Sequence, residues 1–243
     1  MNMKFEPVRK GGCILLIDPD KQPPAKAGEI AATAEAMGVK AIFVGSSIIL
    51  EDKFNETVHT IKKACKIPIV LFPGASNQVS KEVDTVLFLS LISGRNPEFL
   101  IGEQVKAAPI IYKYGIHTLP TAYLLIEGGK TTSVEFMSNT KPLPREKPDI
   151  IVAHALAAEY LGMKLIYLEA GSGAKDSVPD EVIAAVRKHV KLPLIVGGGI
   201  RTPEDAIAKI AAGADYLVIG TRAEEDWAAF EKIVKAVNRA LKG

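Results

Sequence analysis

Only two cysteines occur in 243 residues, and neither forms a CxxC pair or lies at metal-ligand spacing from a histidine. Cys13 and Cys65 both sit in apolar surroundings, so the sequence predicts buried, reduced thiols that supply no chemistry. The four histidines, His59, His117, His154 and His189, fall in separate elements without HxxxH or HxH spacing, which argues against a zinc centre. No apolar run approaches the roughly 20 residues that a spanning helix needs. The N-terminal MNMKFEPVRKGG shows neither an apolar core nor a cleavage site. A cytoplasmic protein without stable membrane insertion is therefore expected. A large excess of one charge is missing too: the formal net charge is +2, and no Lys/Arg run is dense enough to read as a nucleic-acid surface.

What the chain does have is material for a core, with 48% hydrophobic and 24% charged residues. Its length is that of one barrel of about 250 residues, which predicts a single domain over 1–243. Short β-branched or apolar runs alternate with helix-period segments throughout, the mark of parallel strands joined by crossover helices. Eight strands are predicted, near Cys13 to Asp18, Lys40 to Gly45, Pro68 to Phe72, Thr85 to Ser90, His117 to Ile126, Lys164 to Glu169, Pro193 to Gly197 and Asp215 to Gly220. Capping patterns such as Pro179-Asp180-Glu181 and Thr202-Pro203-Glu204-Asp205 open the intervening helices. The pattern favours a closed (β/α)8 TIM barrel over a doubly wound open sheet, because glycine-rich turns follow the last two strands.

Two intervals break the pattern. FPGASNQVSKEVD, between the third and fourth strands, is too short for a full crossover helix. The third crossover helix is thus missing or replaced, leaving either an open apolar groove or a short turn of helix over the same surface. After strand five, GGKTTSVEFMSNTKPLPREKP reads as an unusually long loop. Its Lys141, Arg145 and Lys147 either approach a polyanionic substrate or are simply solvated.

Candidate chemistry collects at the C-terminal ends of the strands. VGGGIRTPEDA follows strand seven and VIGTRAEED follows strand eight. Gly197, Gly198 and Gly199 let the backbone approach an anion, the next helix contributes N–H donors, and Gly220 and Thr221 add more, so a phosphate site is expected. Strand six ends in YLEAGSGA, whose alternation puts Tyr167 and Glu169 on one side. Glu169 stands where barrels place an acid or base, or else it receives backbone N–H groups of the following turn. Gly171, Ser172 and Gly173 form that turn. Strand one ends in LLIDPDK and strand two in IFVGSS, bringing Asp18 and Ser47 to one rim. On residue types alone these suit either a hard cation with a sparse protein shell or ordinary turn and cap roles.

LIDPDK, VGSS, LFPG, KPLPREKPDI, YLEAGSGA, VGGGIRTPEDA and GADYLVIGT occur in this order. Together they resemble the geranylgeranylglyceryl phosphate synthase family, with its bacterial heptaprenylglyceryl relatives, from about residue 13 to residue 222. The resemblance implies a Mg2+-dependent prenyltransferase that moves a prenyl group from its diphosphate to the 3-hydroxyl of sn-glycerol 1-phosphate, the first ether bond of archaeal-type lipids. It also implies a missing third barrel helix and a homo-oligomer, either dimer or hexamer. Carried onto this chain, the magnesium ligands are Asp18 and Ser47. The glycerol phosphate contacts are Tyr167, Leu168, Glu169, Ala170, Gly171, Ser172, Gly173, Gly198, Gly199, Gly220 and Thr221, with Glu169 and Tyr167 as the catalytic pair. The chain departs from some members at Leu16, where they carry a lysine, so strand one offers no cationic clamp. Two other functions share the phosphate turns: a barrel isomerase or lyase acting on a sugar phosphate, and a sensor that binds a phosphate ligand without chemistry.

Overall fold

The computed structural model describes residues 4–51 and 53–242. Eight parallel strands, β1 (Gly12–Ile17), β2 (Ile42–Val44), β3 (Ile69–Leu71), β4 (Thr85–Ser90), β5 (His117–Leu125), β6 (Leu165–Glu169), β7 (Leu194–Gly197) and β8 (Tyr216–Ile219), pair in chain order. β8 also pairs with β1, so the sheet closes into the expected barrel. The helices are α1 (Pro24–Ala36), α2 (Phe54–Ala64), α3 (Glu103–Tyr114), α4 (Ser133–Ser138), α5 (Pro148–Tyr160), α6 (Asp180–His189), α7 (Pro203–Ala212), α8 (Thr221–Glu225) and α9 (Trp227–Ala240). None of the described helices is long and apolar enough to cross a membrane.

Residues 72–84 hold no helix, so the crossover from β3 to β4 is a bare loop, and the open groove of the two alternatives is the one realised. The next crossover helix, α3, which a π-turn over Glu98–Gly102 leads into, lines the far side of that groove. The loop is fastened by side chains. The Gln78 amide accepts Gly74 N–H and donates to Ser46 O, while Glu103 on α3 accepts Ser76 N–H at 2.5 Å.

The stretch after β5 corrects the sequence reading. It is not all loop: α4 occupies Ser133–Ser138, left-handed Asn139 ends it, and Leu143 bridges to Ile126 beside the barrel. Six residues are too few to display a helical period, and their β-branched Val134 and polar Ser138 read as loop. Arg145 from this stretch pairs with Asp176 at 3.1 Å, while Lys141 and Lys147 are exposed to solvent.

Strand alternation sorts the core into two layers. Ile14, Phe43, Val70, Leu87, Tyr167 and Ile195 fill the barrel, whereas Leu15, Ile42, Leu124, Leu168, Val196 and Leu217 pack outward on the helices. Phe5 plugs the lower end, edge-on to Phe43 and Tyr216, with its N–H on Thr85 Oγ1. Cys13 and Cys65 are free and buried, and burial raises their thiols to about 12 and about 11, so neither ionises near neutrality.

At the same end, buried Asp215 ties the N-terminal arm to two strands. It accepts Lys10 N–H and Leu194 N–H and pairs with Arg9 at 3.0 Å and Arg187 at 2.6 Å. Asp215→Ala strands the half-buried Arg187 and two backbone donors. Denaturant unfolding at pH 7 should show a loss of about 3–5 kcal/mol, and a loss near zero would mean the network is not structural.

Candidate active site

The upper ends of the strands open into one cleft of about 500 Å3. Its chemistry changes along its length. At one end stand Asp18, Ser47, Ser172, Gly198, Gly220 and Thr221. At the other, Leu71, Val79, Val86, Phe88, Ala107 and Ile111 line a groove along the flank that lacks a crossover helix. Tyr123, Tyr167 and Glu169 lie in the lining as well. The Tyr167 ring packs on Phe72 and Tyr123 with centroids 5.4 and 5.3 Å apart.

The polar end is built from backbone. Gly198 and Gly199 take left-handed conformations, φ 81° and 72°, that a side chain would strain. A Cβ on Gly199 would stand 2.8 Å from Ser177 N, so the turns after β7 and β6 touch main chain to main chain. Ser172 Oγ reaches Thr221 Oγ1 at 3.2 Å, joining the turn after β6 to the start of α8. Such convergent turns make an anion site from N–H dipoles and hydroxyls.

Glu169 ends β6 and is 5% exposed. Its Oε1 accepts Gly171 N–H at 2.6 Å, so the backbone-holding role is real. Burial nevertheless dominates and raises its carboxyl to about 7, with the Gly171 bond and the nearby Tyr167 hydroxyl pulling the other way. That hydroxyl lies beside Glu169 but outside full hydrogen-bond geometry, and it has no other partner among the described residues. Both Tyr167 and Tyr123 are held neutral by burial first and by the Glu169 charge second. The site therefore offers a carboxylate poised near neutral pH beside a phenol donor that a ligand is free to engage.

Across the cleft, Asp18 is a half-buried carboxylate. Its Oδ1 accepts Asp20 N–H at 3.1 Å, its Oδ2 accepts the Ser46 hydroxyl at 3.1 Å, and Lys21 Nζ lies 3.9 Å away. Ser46 rather than Ser47 touches Asp18, while Ser47 lines the cleft in a more exposed position. Among the described residues no group of three His, Cys, Asp or Glu side chains gathers to hold a metal. The donor set here is all oxygen and includes one carboxylate, which fits a hard cation completed by water and ligand oxygens.

Alternation removes two residues of the expected ligand set from the cleft wall. Leu168 and Ala170 point outward into the apolar layer beneath the helices, and Gly171 turns its N–H to Glu169. The sequence reading overlooked Ser46, Tyr123, Lys21 and Arg201, all of which line the cleft. Tyr123 was within reach of the alternation argument, since it pairs in register with Tyr167. The others sit on loops, where no period locates them.

The profile of the PcrB family matches residues 6–241. The chain belongs to the PcrB family. A geranylgeranylglyceryl phosphate synthase of Thermococcus gammatolerans is 49% identical over 212 residues, covering 87% of this chain and 83% of that protein. One of Chitinophaga pinensis is 44% identical over 226 residues, covering 93% and 90%. Among solved structures, (S)-3-O-geranylgeranylglyceryl phosphate synthase of Thermoplasma acidophilum, in complex with its substrate sn-glycerol-1-phosphate, superposes with a TM-score of 0.89 at 36% identity, over 95% of this chain and 93% of that one.

The raised carboxyl makes this PcrB-family site costly to the fold. A buried acid whose folded pKa of about 7 exceeds the ordinary 4.5 favours the protonated state, so its penalty grows as pH rises through that window and is complete above 7. Glu169→Gln should leave the melting temperature nearly unchanged at pH 4.5 and raise it by several degrees at pH 8, relief on the order of 3 kcal/mol. An equal shift at both pH values would show that Glu169 is not titrating in that window.

Proposed function

We propose that the chain is a prenyltransferase, moving a geranylgeranyl or similar long prenyl group from its diphosphate to the 3-hydroxyl of sn-glycerol 1-phosphate. The observation that carries this reading is the continuity of one cleft: anion-binding turns at one end and a helix-free apolar groove at the other. A sugar-phosphate isomerase or a phosphate sensor has no use for such a groove. The relatives named above support the same reading, as does the T. acidophilum protein with sn-glycerol-1-phosphate bound. A protein working in the cytoplasm as a dimer or hexamer belongs to the proposal, and exposed Ile101 of the π-turn with Val105 and Tyr112 of α3 favour self-association.

In this reading the phosphate of the acceptor lies among Ser172, Gly173, Gly198, Gly199, Gly220 and Thr221, which hold it by N–H and hydroxyl donors. That anchor leaves the three-carbon backbone extending toward Tyr167 and Glu169. The Tyr167 hydroxyl, which makes no full hydrogen bond among the described residues, orients an oxygen of the acceptor. Asp18, held by the Ser46 hydroxyl, would bind Mg2+ together with Ser47 across the rim, and the ion would supply charge stabilisation to the leaving diphosphate. The prenyl chain occupies the groove between Leu71, Val86 and α3, where apolar walls exclude water from the developing allylic cation.

The bonds balance simply. As the C1–O bond of the prenyl diphosphate breaks, the 3-hydroxyl oxygen bonds to C1, its proton passes to the Glu169 carboxylate, and diphosphate departs. Clamping both reactants converts the encounter into an intramolecular step.

Incubating the protein with Mg2+, labelled sn-glycerol 1-phosphate and geranylgeranyl diphosphate should give the ether. Turnover of a sugar phosphate, or binding without product, would refute the assignment. Glu169→Gln should lower kcat by about 10²- to 10⁴-fold while KM for glycerol phosphate changes little; a pure affinity loss would make Glu169 a binding residue. Asp18→Asn should raise the Mg2+ concentration needed for half-maximal rate by roughly tenfold or more, and an unchanged requirement would remove Asp18 from the metal site.

A further inference from the structure

The turn after β6 has little to hold it from within. Gly171 and Gly173 both adopt left-handed backbone, φ 99° and 68°, and offer no side chains to pack. Ordering such a segment therefore falls to groups outside it. Below it, Glu169 accepts Gly171 N–H. On the β5 side, the Gly128 carbonyl accepts the N–H groups of Lys175 and Asp176 at 2.9 and 3.1 Å, and Arg145 pairs with Asp176.

On the β7 side the fastening is Arg201, directly after the Gly198-Gly199-Ile200 turn. Its Nη1 donates to Lys175 O at 2.7 Å and its Nη2 to Ala174 O at 2.6 Å. The donors of a guanidinium diverge in one rigid plane, which suits two successive carbonyls. The two turns meet closely there, since a Cβ on Gly199 would lie 2.9 Å from the Asp176 carbonyl oxygen.

We propose that Arg201 is a positioning residue for glycerol phosphate. By gripping the carbonyls of Ala174 and Lys175, it holds Ser172 and Gly173 against the Gly198-Gly199 turn, so that donors of both turns converge on one phosphate. The inference rests on the reading that this end of the cleft receives glycerol phosphate. Arg201 acts through the turn, because two of its donors are already committed to protein carbonyls. Its charge also favours an anion, and the two effects are separable. A lysine at 201 keeps the charge, but its single nitrogen cannot reproduce a planar two-carbonyl grip.

The test measures sn-glycerol 1-phosphate binding by calorimetry, together with steady-state kinetics, for the wild type, Arg201→Ala and Arg201→Lys. The clamp predicts affinity about tenfold or more weaker in the alanine variant and clearly weaker, about fivefold, in the lysine variant. At saturating glycerol phosphate, kcat should stay within about threefold and KM for prenyl diphosphate within about twofold of wild type. If Arg201→Ala melts well below the wild type, the Arg201→Lys result decides. Wild-type affinity in Arg201→Lys would reduce the residue to a charge and overturn the proposal, as would a loss of kcat at unchanged affinity. If the wild type itself fails to bind sn-glycerol 1-phosphate, the functional reading falls, whereas wild-type binding matched by both variants sinks the clamp alone.

Discussion

Glu169 is a carboxylate at the end of a central barrel strand, away from water, with one backbone N–H to share its charge. Much around it answers to that placement. Gly197 has no room for a side chain, since a Cβ there would lie 2.5 Å from Glu169 Oε2 and 2.6 Å from Tyr167 Oη. At Gly198 the other carboxylate oxygen and the Gly171 backbone block the same space. The glycines after β7 thus serve two ends at once, clearing room for the carboxylate and laying main-chain donors along the cleft. A group so placed disfavours folding above neutral pH, and the cost is borne by an apolar barrel filled inside and covered by helices over most of its outer face.

The second constraint is the short crossover from β3 to β4. A helix there would cover β3 and β4 as the others cover their strands. Without it, Leu71, Val86 and Phe88 face a groove whose far wall is α3. The loop that spans the gap is held by polar contacts of Gln78 and Glu103 and by the buried side chain of Val83. Burial raises the Glu103 carboxyl, yet contacts from Lys106 and Ser76 prevail and bring it to about 2, so it stays ionised through the physiological range. The molecule keeps an apolar surface uncovered at the one place where it adjoins the anion site.

Alternation and glycine chemistry made the barrel, the short third crossover and the glycine turns legible in the sequence, because each depends on local pattern. The same logic places Tyr167 and Glu169 on one face of β6 and sends the side chains of Leu168 and Ala170 outward, so that those two residues face the cleft with main chain alone. Loop residues were beyond reach: that Ser46 and not Ser47 meets Asp18, or that Arg201 returns to Ala174 and Lys175, depends on how two loops lie against each other. Helix α4 was missed for a different reason, since six residues carry too little periodicity to separate helix from loop.

Burial tunes Glu169 to take a proton near neutral pH. The direct measurement is an NMR titration of its side-chain carboxyl carbon, in protein labelled at glutamate and assigned by comparison with Glu169→Gln. The account predicts a midpoint near 7, well separated from the exposed glutamates. A midpoint at or below the ordinary carboxylate value of about 4.3 would contradict it, leaving Glu169 as a fixed anion that holds the Gly171 turn and takes up no proton.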